Sequence, residues 1–160
     1  MADLLMKMPV PYEPKRKNRF IFPSDLGIAE WIVSSASRPS ITINEVEIPF
    51  LNTKTYVAGQ FQWETIDVTF RDPIAPSSSQ ALMEWVRLHA ESVTGRMGYA
   101  AGYKKKVDLF MLDPTGAIVE NWELRGTFLT NVNFGDLDYS GDDLADVSAT
   151  LRFDRAILKY

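Results

Sequence analysis

The sequence contains no cysteine. Disulfides, thiolate nucleophiles and cysteine-ligated metal centres are therefore excluded. A single histidine, His89, excludes a two-histidine zinc site within one chain. No run approaches the roughly 18 apolar residues needed for a membrane-spanning helix. Excess positive charge is missing too. The first eighty residues carry 8 basic and 9 acidic groups, the last eighty 9 and 12, and the formal net charge is -4. Binding that works by neutralising nucleic-acid phosphates does not fit either half. There is no Gly-rich phosphate loop and no nucleophile elbow. The opening stretch places its apolar residues before its basic ones, the reverse of a secretory signal, so the chain is expected to be intracellular when made, which leaves open where its assembly acts.

What is present is enough for a packed core. The chain has 160 residues, 46% of them hydrophobic, which suits one domain. Pro9, Pro11 and Pro14 sit just before Lys15, Arg16 and Lys17. Proline at that density blocks a helix, so residues 1–17 are expected as an extended arm and 18–160 as a single β domain.

Most of the domain reads as strands. Arg19–Phe22 and Trp31–Ala36 are short apolar runs ended by prolines. Ile41 and Ile43 alternate with polar residues, then the apolar phase shifts at Glu45 and Val46 and Ile48 take it up. Such a shift predicts a bulge or bend. In Trp63–Arg71, Ile66, Val68 and Phe70 form one face. In Asp146–Arg155, Val147, Ala149, Leu151 and Phe153 do the same. Val107–Leu112 is largely apolar on both faces, which places it centrally or at an interface. Asp113-Pro114-Thr115-Gly116 is a turn, returning the chain through Ile118–Leu124. Thr127–Phe134 is a further strand.

One helix stands out. Pro76 and Ser77–Ser79 offer a cap, and Leu82, Trp85, Val86 and His89 follow at helical spacing. The expected fold is mainly β: an antiparallel sandwich or barrel with one flanking helix and a long protruding hairpin.

Few residues suggest chemistry. His89 lies on the apolar stripe of the helix and reads as a packed or interfacial side chain. Trp31, Trp63, Trp85 and Trp122 could line a sugar site, but their positions favour packing. Lys104-Lys105-Lys106 suits a solvated or intersubunit face. Asp136, Asp138, Ser140 and Gly141 imitate the first half of an EF-hand loop, but Val147 stands where a bidentate Glu is required. Asp136, Asp138, Asp142 and Asp143 then form a wet acidic turn, a patch for basic residues of another chain, or a weak cation site. No catalytic residue, cofactor site or metal site is assigned, and the chain reads as a non-enzyme.

Residues 45–62 are the unusual segment. They mix Ile48, Phe50, Leu51, Tyr56, Val57 and Phe61 with Pro49, Asn52, Lys54 and Gly59. A ribbon this long cannot bury itself on a small sandwich, and open strand edges invite pairing. It is either an assembly hairpin or an ordinary surface loop.

The segment Glu47-Ile48-Pro49-x-x-Asn52-x-Lys54-x-x-Val57-Ala58-Gly59, followed by Trp63 and Val68-Thr69, resembles the tail tube proteins of contractile-tailed bacteriophages, relatives of type VI secretion tubes. Asn18-Arg19-Phe20, Ser35–Pro39, Trp85, Tyr103-Lys104-Lys105, Gly126, Thr130-Asn131-Val132 and Leu137 through Phe153 follow in the same order, so the resemblance spans about 18–157. It implies a structural subunit of stacked hexameric rings around a channel, located in the virion tail and made in the host cytoplasm. The implied partners are other copies of the chain, a tail sheath protein, and baseplate and tail-terminator proteins. Double-stranded DNA would pass without specific binding. A baseplate tube initiator or a secretion-system tube protein is the alternative, and a carbohydrate-binding sandwich a remoter one.

Overall fold

A computed structural model describes residues 11–23 and 27–159. The expected arm at 1–17 lies mostly outside these. Residues 11–17 carry no helix or strand and are exposed.

Among the described residues, nine strands form two sheets. A seven-stranded antiparallel sheet contains β1 (Phe20–Ile21), β2 (Val33–Ala36), β5 (Ile66–Arg71), β6 (Lys105–Leu112), β7 (Ile118–Asn133), β8 (Asp146–Arg152) and β9 (Arg155–Lys159). Its order is β1-β6-β7-β8-β5-β2, with β9 also paired to β7. A separate two-stranded sheet is the hairpin of β3 (Ile41–Phe50) and β4 (Thr53–Trp63). The sequence-expected class, mainly β with one flanking helix and a long hairpin, is the class observed.

The core follows from the period-two patterns. Ile66, Val68 and Phe70 of β5 are buried, as are Val147, Ala149 and Leu151 of β8 and Val107 and Leu109 of β6. Phe22, Ile28, Ile32, Leu82, Trp85, Leu124, Leu129 and Phe153 join it. Alternate residues of a strand face opposite sides, so each pattern supplies one core face. Strand β6 lies between β1 and β7, in agreement with its apolar character.

Several boundaries differ from the sequence reading. Trp63 ends β4 rather than starting the next strand, and β5 begins at Ile66. Ile118–Leu124 and Thr127–Phe134 are not two strands: β7 runs continuously for 16 residues. It bends at Gly126, which adopts φ 69°, a conformation that L side chains disfavour. The first part of β7 pairs with β6 and β9, and the second with β8. The strand expected over Asp146–Arg155 breaks opposite that corner into β8 and β9, where the Asp154 amide donates to the Arg125 carbonyl at 3.0 Å. The Asp113–Gly116 turn forms as expected, with Asp113 accepting from the Thr115 and Ala117 amides.

Helix α1 (Ser78–His89) packs Leu82 and Trp85 into the core. Ser77 is its N-cap, and the Asp72 carboxylate accepts from the amides of Ser78 and Ser79 at 3.1 and 3.3 Å. The Ser79 hydroxyl bond to Asp72 is foremost among the contacts that lower this carboxyl's pKa, and burial opposes it. A single-turn helix α2 (Ala100–Tyr103) leads into β6.

Candidate assembly surface

The β3–β4 ribbon is exposed along both strands, with only Gly59 and Trp63 partly covered. Among the described residues, its strands pair only with each other. A lone two-stranded hairpin is marginally stable in water, so this ribbon lacks the packing that normally justifies its length.

The register shifts opposite the phase shift seen in the sequence, but the extra residue lies in the partner strand. Ile43 pairs with Phe61 but Glu45 with Ala58, so β4 carries an extra residue at Gly59–Gln60. Gly59 suits that site, since a Cβ would lie 3.1 Å from a Val46 methyl and 3.2 Å from the Asn44 carbonyl. Directly paired residues share a face. Near the base, Ile41, Ile43, Phe61 and Trp63 are therefore on one face. Beyond the bulge that face carries Glu45, Glu47, Lys54 and Tyr56, while Val46, Ile48, Phe50 and Val57 lie on the other. The apolar stripe changes sides midway along the ribbon.

The tip is a two-residue turn, Leu51-Asn52, between Phe50 and Thr53. Leu51 is 89% exposed and has φ 52°, the one non-glycine residue with positive φ among those described. A branched apolar residue in that region is strained, and an exposed one gains nothing from its own fold to offset it. Just behind the tip, Lys54 Nζ lies 2.8 Å from Glu47 Oε1. The sequence-expected hairpin residues Ile48, Pro49, Phe50, Leu51, Asn52, Lys54, Tyr56, Val57 and Gly59 thus all fall on one protruding element.

At the other end of the ribbon lies an open cleft of about 510 Å³. Phe61 and Trp63 of β4, Tyr103, Phe128 and Phe153 give it aromatic walls, and Lys104, Arg152 and Asp154 stand among its lining residues. Trp63 and Phe153 pack with ring centroids 5.9 Å apart. Lys104 Nζ is 3.0 Å from Asp154 Oδ2. Among the described residues Arg152 has no carboxylate within ion-pair distance. No reading of the sequence found this cleft, because its residues come from four separated segments.

His89 is packed, as expected. The Leu129 amide donates to Nε2 at 3.2 Å, so Nε2 must accept. The proton then sits on Nδ1, which donates to the Trp85 carbonyl at 2.8 Å. The ring stacks on Tyr103 with centroids 4.5 Å apart. Nε2 therefore ties α1 to β7, while the Nδ1 bond stays within the helix. The tryptophans are less uniform than expected: Trp85 is buried, Trp63 and Trp122 are half-buried, and Trp31 is 73% exposed. Trp31 sits in a 3-10 turn, Glu30–Ile32, where Ile32 takes the core position.

Two buried carboxylates were not anticipated. Glu123 contacts Lys159 and Arg125, with Lys106 Nζ at 3.6 Å. Hydrogen bonds from Lys159 and Arg125 hold its pKa at about 2 despite burial. Glu120 contacts Lys15, Arg38 and Trp122. Burial opposes its charge most strongly, yet these partners together lower its pKa. Glu120 so ties the segment before β1 and the chain after β2 to β7.

Asp136, Asp138, Asp142 and Asp143 lie in the exposed connection between β7 and β8. Asp138 accepts from the Ser140 amide and hydroxyl, a local turn that lowers its pKa. Among the described residues no group of three or more acidic or histidine side chains could hold a metal ion.

The same architecture occurs in components of contractile injection systems. A chain in the cryo-EM structure of the anti-feeding prophage cap, the AFP tube terminating cap, aligns with a TM-score of 0.75 and 20% identity over 99% of both chains. A chain from the PVC sheath/tube terminator of an extracellular contractile injection system, in its extended state, gives 0.76 and 19%, covering 94% of this chain and 100% of that one. A chain from the PVC sheath-tube complex gives 0.73 and 22%, covering 94% and 93%. No protein-family model matches the chain, and no curated protein matches it in sequence. The fold is that of chains found in contractile-injection tube, terminator and sheath-tube assemblies.

Proposed function

We propose that the protein is a non-enzymatic structural subunit that assembles with copies of itself into the tube of a contractile, phage-tail-like particle. The observation that carries this reading is the β3–β4 ribbon, apolar on opposite faces at its two ends and, beyond Gly59 and Trp63, exposed along its length among the described residues. Copies that cover one another's ribbons remove an otherwise exposed apolar surface and its strand edges. A surface that contacts a different surface on the next copy produces rings where rotation closes and filaments where it does not. Hexameric rings, stacked and enclosed by a sheath between a baseplate and a terminator, are the specific arrangement proposed. The conduit would pass double-stranded DNA without binding it, which a net charge of -4 favours by repelling phosphate. Residues 1–17 act as an arm appended to the domain 18–160, and the acidic turn at Asp136, Asp138, Asp142 and Asp143 as a secondary contact for basic residues of another chain.

The fold shared with a tube-terminating cap over 99% of both chains favours a second reading, a ring that ends or starts the tube. Negative-stain microscopy of the purified protein at high concentration separates the two: a tube subunit gives hollow filaments, a terminator or initiator single rings. A variant lacking residues 48–58 should remain folded and stop assembling. Unchanged assemblies from that variant, or a wild-type protein that stays monomeric at every concentration, would overturn the proposal.

A further inference from the structure

We propose that Glu120 is a relay between the segment before β1 and the root of the β3–β4 ribbon: when Lys15 leaves this carboxylate, Arg38 takes its place and tightens the root. The use of the relay in assembly rests on the tube reading; the relay itself does not.

Glu120 is 6% exposed and lies on β7 opposite Met111 of β6. Two cations reach it from different segments. Lys15 contacts Oε2 from the exposed stretch before β1. Arg38 Nη1 lies 3.6 Å from Oε1, within ion-pair range but beyond a hydrogen bond. The Trp122 indole also donates to Oε1. Both cationic side chains are more than half exposed, so either can withdraw without opening a hole in the core. The carboxylate has no such freedom. A buried carboxylate stripped of its closest cation is costly, so loss of Lys15 draws in the cation already at hand. A cavity of about 230 Å³, lined by Lys17, Phe20, Ala36, Arg38, Leu109 and Met111, gives Arg38 room to swing.

The two segments respond differently. Residues 11–17 carry no helix or strand, and among the described residues Lys15 is their ion pair to β7. Arg38 is followed by Pro39, and β3 starts at Ile41. Proline fixes its own φ and confines the residue before it to extended conformations, so little of a movement at Arg38 is absorbed before the ribbon. Two backbone bonds hold the root: the Ser37 amide donates to the Asp67 carbonyl at 3.1 Å, and the Glu64 amide to the Ser40 carbonyl at 3.0 Å. Those two amides report its state. A copy whose N-terminal segment is taken up elsewhere in an assembly therefore holds its ribbon by a tighter root than a free copy does.

The test is amide hydrogen exchange at Ser37 and Glu64 in the soluble full chain. Lys15→Gln should slow exchange at both by about three- to tenfold, the effect of gaining one charge-assisted hydrogen bond. In an Arg38→Gln background the same change should slow neither. Arg16→Gln removes a neighbouring cation that pairs with Glu13 rather than Glu120, and should leave both rates as in the wild type. No slowing in Lys15→Gln, equal slowing in Arg16→Gln, or slowing that survives Arg38→Gln overturns the relay. Assembly is scored separately by microscopy of the wild type. Hollow filaments together with an unresponsive root overturn the relay and leave the tube reading standing. A responsive root in a protein that never assembles does the reverse.

Discussion

Replacing Leu51 by glycine should move folding and assembly in opposite directions. A residue in the left-handed region costs about 1–2 kcal/mol, which glycine does not incur. Glycine loses more freedom on folding, worth about 0.4–1 kcal/mol in the other direction. The ribbon should therefore become more stable by up to about 1.5 kcal/mol. Because β3 and β4 pair only with each other, global denaturation is a poor readout of that gain. Amide hydrogen exchange within the ribbon is the sensitive one, and protection should rise by up to roughly tenfold. Assembly should weaken instead. Burying a leucine contributes about 1.5–3 kcal/mol, so each lost contact should be about ten- to a hundredfold weaker. Sedimentation across a concentration series measures this as an increase in the concentration at which assemblies appear. Faster exchange in the ribbon would refute the strain argument. An unchanged assembly threshold would remove the leucine from the interface.

Other perturbations probe the fold beneath the ribbon. Gly126→Ala should cost about 2–3 kcal/mol, because positive φ is combined with a Cβ placed 2.1 Å from an Asp154 oxygen. Gly116→Ala, with φ 90° and open space around it, should cost only about 1–2 kcal/mol in urea denaturation. Leu151→Asp puts a charge on the core face and should abolish the cooperative unfolding transition; a native circular dichroism spectrum would contradict the strand phase. Glu123 has a pKa lowered from 4.5 to about 2, so its contribution to stability is complete above about pH 4.5 and is lost as pH falls toward 2. Glu123→Gln should flatten the loss of stability across that window, and an unchanged acid-unfolding curve would show that the carboxylate is not paired in solution.

The parts of this architecture that could be read in the sequence are those encoded by local periodicity. Ile66, Val68 and Phe70 alternate with polar neighbours, and all three are buried. The apolar shift at Glu45 coincides with a register shift, although the extra residue lies across from it in β4, at Gly59–Gln60. Gly126 misled because a glycine amid β-forming residues looks like a break, whereas here it bends one strand around a corner. Trp31 misled because its neighbour Ile32 takes the core position in a 3-10 turn. The hairpin was legible as a continuous segment. The cleft was not, since Phe61, Tyr103, Phe128 and Phe153 converge only once β4, β7, β8 and the chain before β6 are folded together. Nor does sequence alone show that the two residues at the hairpin tip form a strained turn without glycine.

The long β7 strand also bears on how the protein responds to force. One uninterrupted backbone crosses from the β6 side of the sheet to the β8 side. A crack between those halves cannot run along a row of hydrogen bonds alone; it has to straighten or sever a covalent chain. If the protein forms the wall of a contracting particle, as proposed, that continuity lets a thin wall carry a mechanical shock without unzipping.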